Sequence, residues 1–154
     1  DVFASSEVYY SIGALLAGFG IRKVMGKNNI ITNIIILMIA TIGGCLLLTY
    51  TKSVAAFFAV SLLIGLSNAG TRILRITFLF EKVSNDIIGR TGSVFNSVSI
   101  LIRTALITSL SLPYFNSGDN VRYGYLLGAM FLCIALFPLI KYRKKLSEFK
   151  SVNT

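Results

Sequence analysis

The sequence predicts an all-α protein, a polytopic membrane bundle of five transmembrane helices. Of its 154 residues, 55% are hydrophobic and only 14% are charged, and the mean hydropathy is +0.76. A soluble domain of this size would need a more polar surface. Runs of roughly 20 mainly apolar residues, long enough to cross a bilayer, recur along the chain. Short polar stretches separate these runs, so successive helices are expected to be antiparallel.

The five predicted spans cover residues 2–21, 29–50, 53–77, 91–113 and 121–140. Small residues such as Gly13 in the first span and Gly44 in the second favour close contact between helices. Pro113 marks the end of the fourth span, since proline disrupts a continuing helix. Residues 1–140 are therefore predicted to form a transmembrane segment, and residues 141–154 a basic cytoplasmic tail.

The beginning of the chain lacks both an initiator Met and a basic stretch ahead of its apolar run, so it does not resemble a signal peptide. Together with the odd number of spans, this predicts that further helices of the same protein precede residue 1. A genuine five-span protein is the alternative.

The basic residues are distributed unevenly among the connections between spans. The first loop, the third loop and the tail hold ten of them: Arg22, Lys23, Lys27, Lys82, Arg90, Lys141, Arg143, Lys144, Lys145 and Lys150. The second and fourth loops hold only Lys52 and Arg122. This bias predicts a cytoplasmic C-terminus in the plasma membrane, or inner membrane, of the cell. The net charge of +9 therefore indicates contact with anionic membrane lipids, and no nucleic-acid partner is expected.

Three arginines lie inside the predicted spans, where a charge is costly and usually faces a bundle interior or a water-filled cavity. Helical spacing places two of them on one polar face of the third span, with Ser61, Gly65, Asn68, Arg72 and Arg75. The fourth span has a similar face, formed by Gly92, Asn96, Ser99 and Arg103. These two faces predict a polar site between neighbouring helices.

Depth separates the three arginines. At 1.5 Å per residue, Arg103 lies roughly 20 Å from the cytoplasmic end, near the level of Asn68, whereas Arg72 lies roughly 12 Å and Arg75 roughly 7 Å deep. Arg75 is close enough to the interface to extend its head group into water. Arg72 has the same alternative, and for Arg103 the alternative is a structural hydrogen bond to Asn68 or to helix carbonyls.

The carboxylates of the chain lie outside this predicted site. Glu7 is near the outer end of the first span, and Glu81 and Asp86 are near the cytoplasmic edge. A positively charged cavity suits a carboxylate-bearing solute, because guanidinium binds carboxylate through two parallel hydrogen bonds. The predicted substrate-binding residues are therefore Asn68, Arg72, Arg75, Asn96, Ser99 and Arg103. The sequence contains no pattern typical of a catalytic centre, a metal site or a cofactor site, so no enzyme activity and no cofactor are expected.

Two stretches resemble the major facilitator superfamily. The stretch "GALLAGFGIRKVMGKNN" and the apolar span after it resemble the eighth helix, cytoplasmic loop and ninth helix of that family, with a loop motif matched by Gly18, Arg22, Lys23, Gly26 and Lys27. The stretch "FLFEKVSNDIIGRTGSVFNSVSIL" is similar to the junction of helices ten and eleven in the macrolide-efflux-like and enterobactin-exporter-like branch. The matching residues are Gly89, Arg90, Ser93, Val94 and Asn96, whereas the usual proline before them is replaced by Ser84 and Asn85.

This resemblance implies that the chain forms helices eight to twelve of a twelve-helix transporter that works by alternating access. Helices seven, eight, ten and eleven usually line the central site in this family. Gly89 and Arg90 would open helix eleven, whose first turn is expected to approach its neighbour, and Arg22 and Gly26 would belong to the gating loop. A proton-coupling acid is expected in the preceding half, with Glu7 as a candidate here.

Three functions are consistent with the sequence. The first is a secondary transporter that exports an organic, anionic small molecule such as a siderophore or a drug. The second is a membrane scaffold or assembly protein that does not transport and uses the arginines as ties to another chain. The third is a lipid-handling protein whose arginines receive phosphate headgroups. The expected partners are the solute, membrane lipids and the helices preceding residue 1.

Overall fold

The computed structural model describes residues 2–25, 29–116 and 120–144. The described part is helical throughout, with short connections and no strand. Its helices are α1 (Val2–Met25), α2 (Ile30–Tyr50), α3 (Val54–Lys82), α4 (Asn85–Leu110), α5 (Pro113–Asn116) and α6 (Val121–Lys141). The predicted all-α class is therefore confirmed. Lys145, Lys150 and the rest of the predicted tail beyond residue 144 lie outside the described residues.

Four of the described helices, α2, α3, α4 and α6, are long and apolar enough to cross a membrane. The first predicted span also forms a helix, of 24 residues, but α1 does not belong to this group of four. Its length of about 36 Å is sufficient.

Helix α3 is the centre of the bundle. Helices α1 and α2 both pack along it, whereas they touch each other at few residues, and α6 packs against α2. The best-buried cluster consists of Ala17 and Ile21 of α1 and Leu74 of α3, which is only 1% exposed. Apolar side chains from the start of α2, such as Ile34 and Leu37, pack against this cluster. Three helices thus share one small core.

Glycines allow α1 and α3 to approach backbone to backbone. A Cβ atom on Gly13 would overlap the carbonyl of Leu62, and one on Gly65 would overlap the carbonyl of Tyr10. The prediction that Gly13 serves helix packing is confirmed. Gly65 was predicted to lie on the polar face of α3, but its contact is with the α1 backbone. Gly44 of α2 is also a packing residue, since a Cβ there would lie 3.1 Å from Val60 Cγ1.

The connection between α3 and α4 is shorter than predicted. The stretch 81–90 was expected to be a loop, but only Val83 and Ser84 interrupt the two helices. Ser84 is the N-cap residue of α4, and Asp86 lies in its first turn, where a negative charge stabilises the helix dipole. Gly89 therefore lies within α4, and a Cβ on it would meet no described atom within 4 Å. Among the described residues no neighbour approaches Gly89, so the close approach expected there stays a prediction.

Hydroxyl side chains within the apolar helices mostly bond to their own backbone. Thr41, Thr49, Ser61, Thr77, Thr91, Ser93, Ser109 and Ser111 each donate to the carbonyl four residues earlier. A hydroxyl satisfied in this way can face lipid or a neighbouring helix without losing a hydrogen bond. Thr91, Ser93 and Ser109 of α4 therefore need no ligand to explain them.

Candidate functional site

The six residues predicted to bind a solute line one open cleft between α1, α3 and α4. Its volume is about 560 Å³. Helix α3 contributes Asn68, Ala69, Thr71, Arg72, Ile73 and Arg75, helix α4 contributes Asn96, Ser99 and Arg103, and helix α1 contributes Tyr10 and Ala14. We call this space the arginine cleft.

Helical geometry explains why these side chains meet. Asn68, Arg72 and Arg75 recur at steps of four and three along α3, which keeps them on one face. Asn96, Ser99 and Arg103 have the same spacing along α4. Residues of both helices line the same space, so the two polar faces form two walls of one cleft. Arg103 accordingly lines the same cleft as Asn68, its predicted neighbour in depth.

The arginine cleft is strongly positive. None of the guanidinium groups of Arg72, Arg75 and Arg103 has a hydrogen bond or ion pair with another described residue. No carboxylate belongs to the described lining of the cleft. All three arginine side chains are exposed. Their hydrogen-bond donors are thus directed to water, to lipid or to a solute, and the suggested tie between Arg103 and Asn68 is not formed.

Tyr10 is a member of the cleft that was not predicted from the sequence. Its hydroxyl accepts a hydrogen bond from Asn68 Nδ2 at 2.7 Å. Gly65, three residues before Asn68, brings the Tyr10 backbone against α3. The adjacent Tyr9 stacks on Phe58 of α3 with ring centroids 4.8 Å apart, which further fixes this part of α1. A tyrosine in an apolar helix is a weak sequence signal, and only the register of α1 against α3 places it here.

The remaining predicted residues lie elsewhere. Glu7 is exposed, one turn before Tyr10, and does not line the cleft. Arg90 lies on the α4 surface with Thr91, Val94, Phe95 and Val98. The Arg22 side chain and all of Gly26 lie outside the described residues. The backbone of Arg22 lies within α1, and Gly89 and Arg90 lie within α4.

A second feature that the sequence did not indicate is Asn33 of α2. Its side chain is 4% exposed, and neither Nδ2 nor Oδ1 has a hydrogen-bond partner among the described residues. It lies apart from the arginine cleft. Within the part of the chain that is described, no group of three His, Cys, Asp or Glu side chains could hold a metal ion.

The fold and this cleft define the class of the molecule as an all-helical protein with several helices able to span a membrane. Comparison with models of known protein families, with curated proteins and with solved structures gave no match to this chain. The function must therefore be inferred from the cleft itself.

Proposed function

We propose that this chain is part of a secondary transporter that binds an organic anion in the arginine cleft and exports it by alternating access. We also propose that the chain belongs to the major facilitator superfamily, whose helices eight to twelve it would form. The protein would lie in the plasma membrane with its C-terminus in the cytoplasm. Carboxylate-bearing solutes such as siderophores or drugs are the proposed substrates.

The observation that carries this proposal is the convergence of three unpaired guanidinium groups on one cleft without a described carboxylate. A charge at the centre of a membrane helix costs about 2.5–3.5 kcal/mol, so Arg103, the deepest of the three, has the greatest need of a stabilising partner. A carboxylate could accept two parallel hydrogen bonds from one guanidinium and gain attraction from the others. Asn68, Asn96 and Ser99 add neutral groups that could orient the rest of the solute.

A membrane scaffold is the second candidate function. It is favoured by α4, because none of the described side chains of this helix is buried and its contact with α3 is slight. In that case a neighbouring chain would cover α4 and supply carboxylates to the arginines. The two candidates differ in whether a small anion stabilises the isolated protein.

The test is thermal unfolding of the purified full-length protein with carboxylic acids and with their methyl esters. The acid should raise the Tm, with about 2.7 kcal/mol of stabilisation at 100 times its Kd, and the ester should not. Arg103→Ala should abolish the shift, whereas Arg143→Ala, which removes an exposed arginine outside the cleft, should retain it. Equal shifts by acid and ester, or an unchanged shift in Arg103→Ala, would contradict an anion site in this cleft.

A further inference from the structure

Two neutral side chains of the arginine cleft, Tyr10 and Asn68, are held to each other across the contact between α1 and α3. Asn68 Nδ2 donates to the Tyr10 hydroxyl at 2.7 Å, and both residues line the cleft. Both are also exposed, Tyr10 by 37%. A solute in the cleft can therefore reach the pair.

The hydrogen bond determines what each partner can still offer. A hydroxyl donates one hydrogen bond as well as accepting, and an amide has an oxygen that accepts. Because the Tyr10 oxygen accepts from Asn68, its own hydrogen is left for another acceptor, and no described residue supplies one. The Asn68 Oδ1 likewise has no donor among the described residues. The pair thus presents one donor and one acceptor side by side.

Helix packing holds this pair in place without a solute. The Tyr10 backbone lies against Gly65, which precedes Asn68 by one helical turn. On the same part of α1, the Tyr9 ring stacks on Phe58 of α3 with centroids 4.8 Å apart. Groups that are already ordered lose little conformational freedom when a ligand binds, so they contribute more to affinity than mobile side chains do.

The pair adjoins a charged group on the same helix face. Arg72 follows Asn68 by one helical turn, about 6 Å along the axis of α3, and lines the same cleft. A carboxylate binds to guanidinium in preference to a phenol, because charge-assisted hydrogen bonds are about twice as strong as neutral ones. The carboxylate of a solute is therefore expected at the arginine, which leaves the pair for a neutral group.

A hydroxyl is the neutral group that matches the pair. Its oxygen can accept from the Tyr10 O–H while its hydrogen donates to the Asn68 Oδ1. A carbonyl or an ether oxygen would satisfy Tyr10 alone. We infer that the solute of the arginine cleft is a hydroxy acid, with its carboxylate on Arg72 and its hydroxyl between Tyr10 and Asn68. The inference rests on the proposed anion site and adds the second functional group of the solute.

The experiment measures thermal unfolding of the purified full-length protein with ω-hydroxy acids, from hydroxybutyrate to hydroxyoctanoate. Each is compared with the plain acid of the same chain length. At the chain length that fits, the hydroxy acid should give the same rise in Tm at a roughly tenfold lower concentration, because it adds hydrogen bonds in a partly exposed site. The ω-methoxy acid should fall between the two, since it accepts from Tyr10 but cannot donate to Asn68. Equal effects of hydroxy and plain acids at every chain length would overturn the inference.

Two neighbouring tyrosines provide a matched pair of variants. Tyr10→Phe keeps the ring and removes the hydroxyl, so it should bind the plain acid as the wild-type protein does and lose the preference for the hydroxy acid. Tyr9→Phe should keep that preference, because Tyr9 does not line the cleft. Asn68→Leu removes the acceptor and should also lose the preference, which covers the case in which Tyr10→Phe does not fold. A full preference in either cleft variant would overturn the assigned contacts.

The hydroxy-acid inference and the proposed function fail in different ways. If plain acids stabilise the wild-type protein and their methyl esters do not, the anion site stands, and a missing hydroxyl preference overturns the hydroxy-acid inference alone. If no acid stabilises the protein more than its methyl ester does, both are overturned.

Discussion

Asn68 connects the packing of the bundle to the candidate site. On one side it donates to the Tyr10 hydroxyl at 2.7 Å, and it lines the arginine cleft together with Arg72. The hydrogen bond is possible because Gly65 lets the α1 backbone approach α3. Gly65, which has no side chain, thus allows the Tyr10 hydroxyl and the Asn68 amide to meet. A change at Gly65 should disturb both the fold and the cleft.

The first prediction concerns this glycine. Gly65→Val should destabilise the protein by about 3 kcal/mol or more, because its side chain would overlap the backbone of Tyr10 rather than a movable side chain. Gly18→Val is the matched control, since a Cβ there meets no described atom within 4 Å. Membrane abundance and thermal unfolding in detergent measure the difference. Equal stability of the two variants would show that the close approach of α1 and α3 is not required.

The second prediction distinguishes a solute site from a structural role for Arg103. Arg103→Lys keeps a cation in the cleft but loses the planar two-point contact, so the protein should insert normally and export poorly. Arg103→Ala should lose export at near-normal abundance, because no described partner is left unpaired. Membrane abundance and export of the stabilising acid should be measured together. A structural role would instead give a low amount of Arg103→Ala protein with normal transport by the surviving molecules.

Residues of the site differed in how well the sequence could predict them. Arg72, Arg75 and Arg103 were found because charge in an apolar helix is costly, and their spacing gave the shared face. Tyr10 and Asn33 were missed. Tyr10 enters the cleft only through the register between α1 and α3, which depends on the contact at Gly65. Asn33 is buried without a partner among the described residues, and this is a property of the packed bundle.

At the scale of helices, one face of α3 packs in the core and another lines the arginine cleft. One face carries Leu74 and Gly70 into the core, where a Cβ on Gly70 would lie 2.7 Å from Ile21 Cδ1 and 2.9 Å from Leu37 Cδ1. Another face carries the arginines to the cleft. Helix α4 forms the opposite wall but contributes no buried side chain among its described residues. The inner wall of the cleft is therefore anchored, whereas α4 is held mainly through its connections.

The third prediction tests whether the polar face of α4 meets water. Single cysteines at Asn96, Ser99 and Arg103 should react with a membrane-impermeant thiol reagent. Cysteines at Leu101 and Ile102, which are 70% and 55% exposed, should react at least about tenfold more slowly, because in a membrane those exposed positions face lipid, where the reactive thiolate is disfavoured. Cys133 is exposed and would react as well, so it must be replaced in the protein that receives the single cysteines. Uniform reactivity along α4 would contradict a water-filled arginine cleft.

The helix boundaries show where hydropathy alone was insufficient. Apolar runs located the spans, but α3 continues to Lys82 and α4 begins at Asn85. The polar stretch between the predicted spans looked like a loop, although Ser84 and Asp86 are typical of a helix start. Helices that extend beyond the hydrocarbon core are polar at their ends, so the end of an apolar run does not mark the end of the helix.

For the whole molecule, the alternation of helices and the distribution of charge together suggest an orientation. The α2–α3 connection contains Lys52, and Arg122 begins the last long helix after the α4–α6 connection. The α3–α4 connection lies between Lys82 and Arg90, and basic residues follow α6. Antiparallel helices place these two groups on opposite sides. We propose that the α3–α4 connection and the residues after α6, which carry more basic side chains, are cytoplasmic, because basic residues near helix ends favour that side.

The last prediction tests this orientation, on which the direction of export depends. In a cysteine-free background, single cysteines at Lys52 and Asn120 should be labelled by an impermeant reagent in intact cells. Cysteines at Lys27 and Asp86 should be labelled only after permeabilisation, because both belong to the side with more basic residues. Labelling is compared with a permeant reagent at each site, so that a buried position is not mistaken for an inaccessible side. The reverse pattern would invert the bundle and open the arginine cleft to the opposite side, and the proposed export would have to be abandoned. Labelling of all four sites from one side would contradict the antiparallel arrangement of α2, α3 and α4.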